Sequence, residues 1–158
     1  MRTLDQSEMA DFIAIQRLQA SYADIVTRRQ WSELDQVFIP DAVVVIDTAA
    51  GTPLVVETPA GIGEFIETNI ERFEFFEFVI LNSVIELGSS GSGRASSRMY
   101  MAELRQSRDA GRRSTAFGLY RDQYVKEGND WLIESRKYRS AARSSARELD
   151  VFGFDAVD

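Results

Sequence analysis

The side chains best suited to chemistry are two phenols and a carboxylate, Tyr22, Tyr120 and Asp122. Tyr120 and Asp122 fall in residues 114–136, STAFGLYRDQYVKEGNDWLIESR, where two aromatic and β-branched runs flank Glu127-Gly128-Asn129-Asp130 and predict a hairpin. Strand side chains alternate between faces, so Ser114, Ala116, Gly118, Tyr120, Asp122 and Tyr124 share one side. Ala116 and Gly118 beside Tyr120 leave room either for a bound molecule or for a neighbouring backbone. A phenol titrates near 10, roughly, so Tyr22 and Tyr120 suit donation to a developing oxyanion and make poor bases. Asp122 shares the Tyr120 face and is the better acid or base if a pocket reaches it. The competing reading for both tyrosines is a core aromatic whose hydroxyl finds a backbone partner. Asp24 lies two residues from Tyr22, roughly 200° round a helix, so it is expected to face away and pair with an arginine.

The chain has no histidine and no cysteine. Proton transfer is left to Asp, Glu, Tyr, Lys or an ordered water. A metal site would need oxygen ligands alone, and no EF-hand-like spacing occurs, so neither metal nor cofactor is expected. The net charge of −7, from 25 acidic and 18 basic residues, opposes nucleic-acid binding. No apolar run approaches the roughly 20 residues of a membrane span, and residues 1–12 lack a signal-peptide core, so no membrane partner is expected and the cytoplasm is the expected compartment.

The elements that must position these residues follow from periodicity. Phe12, Ile15, Leu18, Tyr22, Ile25 and Val26 recur at helical spacing after an Asp5/Glu8 start signal, predicting a helix near 8–28. Trp31, Leu34, Val37 and Phe38 predict a second, near 31–38, ended by Pro40-Asp41. Two short strands follow, and Thr58-Pro59 opens a third helix near 59–73. Four long antiparallel strands complete the domain, joined at the Gly/Ser loop 88–93, at Asp109-Ala110-Gly111 and at the hairpin above. Helices on one side of a curved antiparallel sheet make an α+β architecture. Residues 1–140 are expected to form one domain and 141–158 a tail that can pack on it. Arg139, Arg143 and Arg147, spaced by four, read as one solvated helical face.

Tyr22, Trp31, the corner Phe38-Ile39-Pro40-Asp41-Ala42, Asn82, Gly118-Leu119-Tyr120-Arg121-Asp122 and Trp131 occur in this order over residues 10–139. This pattern resembles the SnoaL-like branch of the NTF2-like superfamily. The resemblance implies a cone-shaped sheet, its mouth partly closed by three N-terminal helices, around a largely apolar cavity. It also implies self-association, as a dimer or trimer, through the convex face. Members include polyketide cyclases, scytalone dehydratase, ketosteroid isomerases, a dehydrochlorinase and non-catalytic dioxygenase subunits. In the dehydratase-like members an Asp late in the first helix and a His early in the third strand form a dyad, and family spacing puts Thr27 and Val79 at those positions. Other polar dehydratase positions fall on Val26, Ile46, Gly118 and Tyr120. The resemblance therefore places Val26, Thr27, Ile46, Val79 and Gly118 around a substrate pocket with Tyr22 and Tyr120, without the usual dyad.

Two functions follow from these readings. One is a cofactor-independent cyclase, isomerase or lyase that folds an apolar, polyketide- or terpenoid-like molecule into a reactive conformer. The alternative is a non-catalytic ligand-binding or assembly subunit, which the loss of both dyad residues favours. An open cavity holding Tyr22 and Tyr120 would separate them in favour of small-molecule handling.

Overall fold

The structure, a computed structural model, describes residues 3–109 and 111–144, and the backbone of 149–151. The first helix, α1 (Gln6–Arg28), starts at a reciprocal cap: the Asp5 side chain accepts the Glu8 N–H at 2.9 Å, and the Glu8 carboxylate accepts the Asp5 N–H at 2.9 Å. It buries Ile15, Leu18, Tyr22, Ile25 and Val26, a stripe that stabilises by about 1.5–3 kcal/mol per large side chain. Asp24 turns outward and pairs with Arg28 at 2.7 Å. The expected second helix is one short 3-10 segment, Trp31–Gln36. The third is α2 (Pro59–Ile70), capped by Thr58, whose hydroxyl accepts the Gly61 N–H at 3.2 Å.

The strands are β1 (Phe38–Asp47), β2 (Leu54–Glu57), β3 (Phe73–Leu87), β4 (Arg94–Ser107), β5 (Arg113–Glu127), β6 (Asp130–Ser144) and β7 (Leu149–Val151). They form one sheet in the order β2-β1-β6-β5-β4-β3, with β7 also pairing β6. The pairings are antiparallel except β1 with β6, which run parallel because the whole β2-to-β5 segment lies between them as a crossover. The protein is thus an α+β fold, its N-terminal helix packed on a curved, unclosed sheet. Register shifts in β3 and twice between β5 and β6 supply the bending, since an extra residue kinks a strand and increases its twist.

β6 runs past residue 140 because its last residues pair with β5 and β7. Arg139 and Arg143 therefore lie on a strand rather than on the helical face their spacing suggested. Arg147 lies outside the described residues, as do the other tail residues apart from 141–144 and the backbone of 149–151, and Ala110 of the expected turn.

Candidate functional site

Four cross-strand rows pave the concave face. The first joins Ser97, Asp122, Arg136 and Val44; the second Met99, Tyr120, Tyr138 and Ile46. The third joins Met101, Gly118 and Ser140; the fourth Phe78, Glu103, Ala116 and Arg143. Above these rows lies a cavity of about 290 Å³, at the small end of ligand sites, walled by Tyr22 and Val26 of α1 and by Ile62, Phe65, Ile66 and Ile70 of α2.

Of the residues expected to surround a pocket, Tyr22, Val26, Ile46 and Tyr120 line this cavity. Thr27, Val79, Gly118 and Asp122 do not. Thr27 lies one position round the helix from Val26, and its Oγ1 accepts the Phe78 N–H at 3.0 Å, pinning α1 to β3. Val79 points away because successive strand residues alternate, and Phe78 takes the inward place. The inward positions Val26 and Phe78 carry no acid or base either, so the absence of the dyad does not depend on that one-residue offset.

At Gly118 the space is already filled. A Cβ there would meet Tyr138 Cε2 at 2.3 Å, the Arg139 carbonyl at 3.1 Å and Met101 Sδ at 3.1 Å. Of the two readings of this glycine, close approach by a neighbour is the one the packing matches.

Asp122 is fully buried and committed to an ion pair. Its two oxygens accept hydrogen bonds from Arg136 Nε and Nη2, both at 2.7 Å, and Oδ2 also accepts from the Tyr124 hydroxyl at 3.0 Å. Gln19 and Ser97 hold that hydroxyl in turn, at 2.9 and 2.8 Å. With its oxygens taken up by Arg136 and Tyr124 and no place on the cavity wall, Asp122 is suited to orienting Arg136 and unsuited to moving a proton.

Arg136 is the feature the sequence reading missed. It is 2 % exposed, yet it lines the cavity, and its guanidinium carbon lies 4.1 and 4.2 Å from the ring centroids of Tyr22 and Tyr120. Its Nη1 has no hydrogen-bond partner among the described residues. Burial works against its charge, but the Asp122 charge and hydrogen bonds outweigh this and hold its pKa above the ordinary range. Burial pushes the Tyr22 phenol up against the opposing charge of Arg136, and pushes Tyr120 well up. Both hydroxyls are therefore proton donors and not bases at neutral pH.

The carboxylate that faces the cavity is Glu103. Its side chain is 21 % exposed, and desolvation raises its pKa above the usual carboxylate range despite the opposing charges of Arg105, 3.5 Å away, and Arg72. Its charge also acts on Tyr22, Tyr120 and Tyr138, so acid and phenols share one electrostatic environment. A sequence signal did exist: Ala95, Ser97, Met99 and Met101 form an inward row on β4, and the same alternation carries Glu103 and Arg105 onto that face. Among the described residues no three His, Cys, Asp or Glu side chains gather into a metal-binding group.

The profile of the SnoaL-like domain matches residues 7–137. The chain belongs to the SnoaL-like family. Solved structures of the NTF2-like superfamily share its fold. A protein named as a candidate scytalone dehydratase from Novosphingobium aromaticivorans superposes with a TM-score of 0.75 at 17% identity, covering 95% of this chain and 97% of that one. A type 2 hexachlorocyclohexane dehydrochlorinase, LinA, gives 0.74 at 16% identity, covering 94% and 97%. ActVI-ORFA from Streptomyces coelicolor gives 0.65 at 15% identity, covering 82% and 96%. At these identities the likeness shows the fold alone. No protein of curated function matches the sequence. Among the described residues of this SnoaL-like chain, no helix is long and apolar enough to cross a membrane.

Proposed function

We propose that this SnoaL-like protein is a cofactor-independent isomerase- or lyase-type enzyme that moves a proton on a small, largely apolar carbonyl compound of polyketide- or terpenoid-like character. One observation carries the reading: a desolvated carboxylate, Glu103, shares a cavity with two protonated phenols, Tyr22 and Tyr120, on both of which its charge acts. Glu103 takes the proton from the carbon next to the carbonyl. The electron pair passes to the carbonyl oxygen, which the Tyr22 and Tyr120 hydroxyls receive as donors. Return of the proton to another carbon completes an isomerisation, and departure of a β-substituent completes an elimination. The raised Glu103 pKa brings this base nearer to neutral pH, where general catalysis is most efficient.

The test is deuterium uptake from D2O into 2-tetralone, an apolar bicyclic ketone, followed by proton NMR. Wild-type protein should accelerate exchange above the buffer rate, and Glu103→Gln should abolish the acceleration while the ketone still binds. Binding without exchange by the wild type would make the cavity a carrier site instead.

Self-association through the sheet belongs to the same reading. Phe75, Leu81, Val84 and Leu104 are exposed large apolar side chains on β3 and β4, and covering them with a second copy removes that surface from water. Light scattering at micromolar concentration that finds only monomer would refute it.

A further inference from the structure

A third phenol lines the cavity beside those of Tyr22 and Tyr120, that of Tyr138 on β6. Tyr138 belongs to the second row, opposite Tyr120, and its ring packs edge-on against the Tyr120 ring at 5.2 Å. The ring does not stay over its own row. Tyr138 Cε2, the carbon next to the one that bears the hydroxyl, is the atom that a Cβ at Gly118 would strike first. Gly118 lies one strand over, on β5, and one row further on, in the third row. A second step of the same kind, across to β4 and on to the fourth row, arrives at Glu103. The missing side chain of Gly118 is what lets the phenol lie along this diagonal, towards the carboxylate.

The surroundings of the hydroxyl agree with that direction. Burial raises the Tyr138 pKa and the Glu103 charge raises it further, against a hydrogen bond with Ser140 and the charges of Arg105 and Arg143. Tyr22 and Tyr120 lie instead against Arg136 of the first row, whose guanidinium carbon is 4.1 and 4.2 Å from their rings. The cavity thus has a pair of phenols at its inner end and a single phenol turned towards Glu103. That phenol keeps its proton at neutral pH, and it is the group placed to give one up. The guanidinium groups of Arg72 and Arg105 hold their protons too tightly, and the Thr48 and Ser140 hydroxyls and the Asn69 amide, which also line the cavity, are weaker acids than a phenol.

We infer that Tyr138 is the acid of the elimination: it protonates a β-hydroxyl as that group leaves, which makes the substrate a β-hydroxy ketone. This rests on the proton-transfer reading above and names its leaving group. With the carbonyl oxygen received by Tyr22 and Tyr120, Glu103 takes the proton from the α-carbon, and the β-carbon lies beyond it, by Tyr138. The electron pair of the enolate then forms the double bond between the α- and β-carbons while the bond from the β-carbon to oxygen breaks. Hydroxide is a poor leaving group, and the phenolic proton goes to the departing oxygen so that it leaves as water. The Tyr138 phenolate recovers a proton from the Glu103 carboxylic acid, the stronger acid of the two, and both groups return to their starting states. The net change is loss of water and gain of a conjugated double bond.

The experiment follows 4-hydroxy-4-phenylbutan-2-one and its acetate ester by the absorbance of their common product, the conjugated enone. Acetate leaves without a proton, so only the alcohol needs the acid. Tyr138→Phe keeps the ring over Gly118 and should lower the alcohol-to-ester ratio of elimination rates by about 100-fold, the usual worth of a general acid. Both rates are read on one preparation of the full chain, so any loss of folded protein cancels. A ratio that stays at the wild-type value would overturn the inference and return Tyr138 to the wall of the cavity. Wild-type protein that exchanges deuterium into 2-tetralone and fails to eliminate the alcohol would also overturn it, and would leave the proton-transfer reading standing. Absence of exchange into 2-tetralone would overturn both.

Discussion

Arg136 and Asp122 meet through two hydrogen bonds of 2.7 Å, inside a protein where neither side chain is more than 1 % exposed. The pair is cross-strand, and the Tyr124–Ser97–Gln19 network holds the acid from behind. Removing one member leaves the other buried, charged and uncompensated, a loss of about 3–5 kcal/mol. Asp122→Asn is therefore expected to lower stability by roughly that amount in urea unfolding. Replacing both, as Asp122→Leu with Arg136→Met, should recover most of the loss, because the cost lies in the orphaned charge. A double variant as unstable as Asp122→Asn would show that the network matters for some other reason.

Glu103 gives a stability test with a definite sign. Its folded-state pKa is raised by burial, so the folded protein holds this proton more tightly than the unfolded chain. The group costs no stability below the unfolded carboxylate range, about 4.3, and its penalty appears as pH rises through the folded value. Glu103→Gln should accordingly raise the melting temperature at pH 8 and leave it almost unchanged at pH 4. A gain of equal size at both pH values would indicate better packing by the amide instead of relief of a desolvated charge.

The elements around the site were legible in the sequence wherever periodicity was uninterrupted. The α1 stripe put Tyr22 and Val26 on the inner face, and the β5 alternation put Tyr120 there. The rest was hidden by bulges. From the turn, Glu127 pairs with Asp130 and Tyr124 with Ile133, but Gln123 then pairs with Ser135, leaving Glu134 as an extra residue. A plain hairpin register would place Ser135 opposite Asp122, and the bulge replaces it with Arg136. A second shift, at Ala141, restores the plain-hairpin parity and so returns Arg143 to the inner face. Each extra residue flips every side chain beyond it to the opposite face, and nothing in the composition of β6 announces either one. Thr27 and Val79 were misplaced for a related reason, since one position along a helix or strand changes the face that a residue presents.

Gly118 tests whether the Tyr138 ring is held where it is by that packing. Gly118→Ala would put a methyl 2.3 Å from Tyr138 Cε2 and 3.1 Å from a backbone carbonyl, and the carbonyl cannot swing aside as the ring can. Overpacking of this kind costs about 1–3 kcal/mol. The expected result is a destabilised protein in denaturant titration, with Tyr138 pushed towards the cavity and 2-tetralone affinity reduced. Unchanged stability would mean that β5 and β6 separate freely at this row.

Tyr120 separates binding from chemistry. Its phenol lines the cavity, lies beside the Arg136 guanidinium, and is held protonated by burial. Its ring is fixed on three sides, stacked on Phe78 at 5.7 Å and edge-packed against Tyr22 and Tyr138 at 6.1 and 5.2 Å. Tyr120→Phe keeps this aromatic packing and deletes one donor. A ketone in its ground state should then lose about 1 kcal/mol of affinity, the net worth of one hydrogen bond. In the proposed reaction the enolate carries far more charge on the same oxygen, so the exchange rate should fall by about 100-fold, as for removal of an oxyanion donor elsewhere. The informative quantity is the ratio of the two effects, measured as kcat against Kd for deuterium exchange into 2-tetralone. A rate that falls only as far as binding does would place the tyrosine in the wall of the cavity and remove it from the reaction.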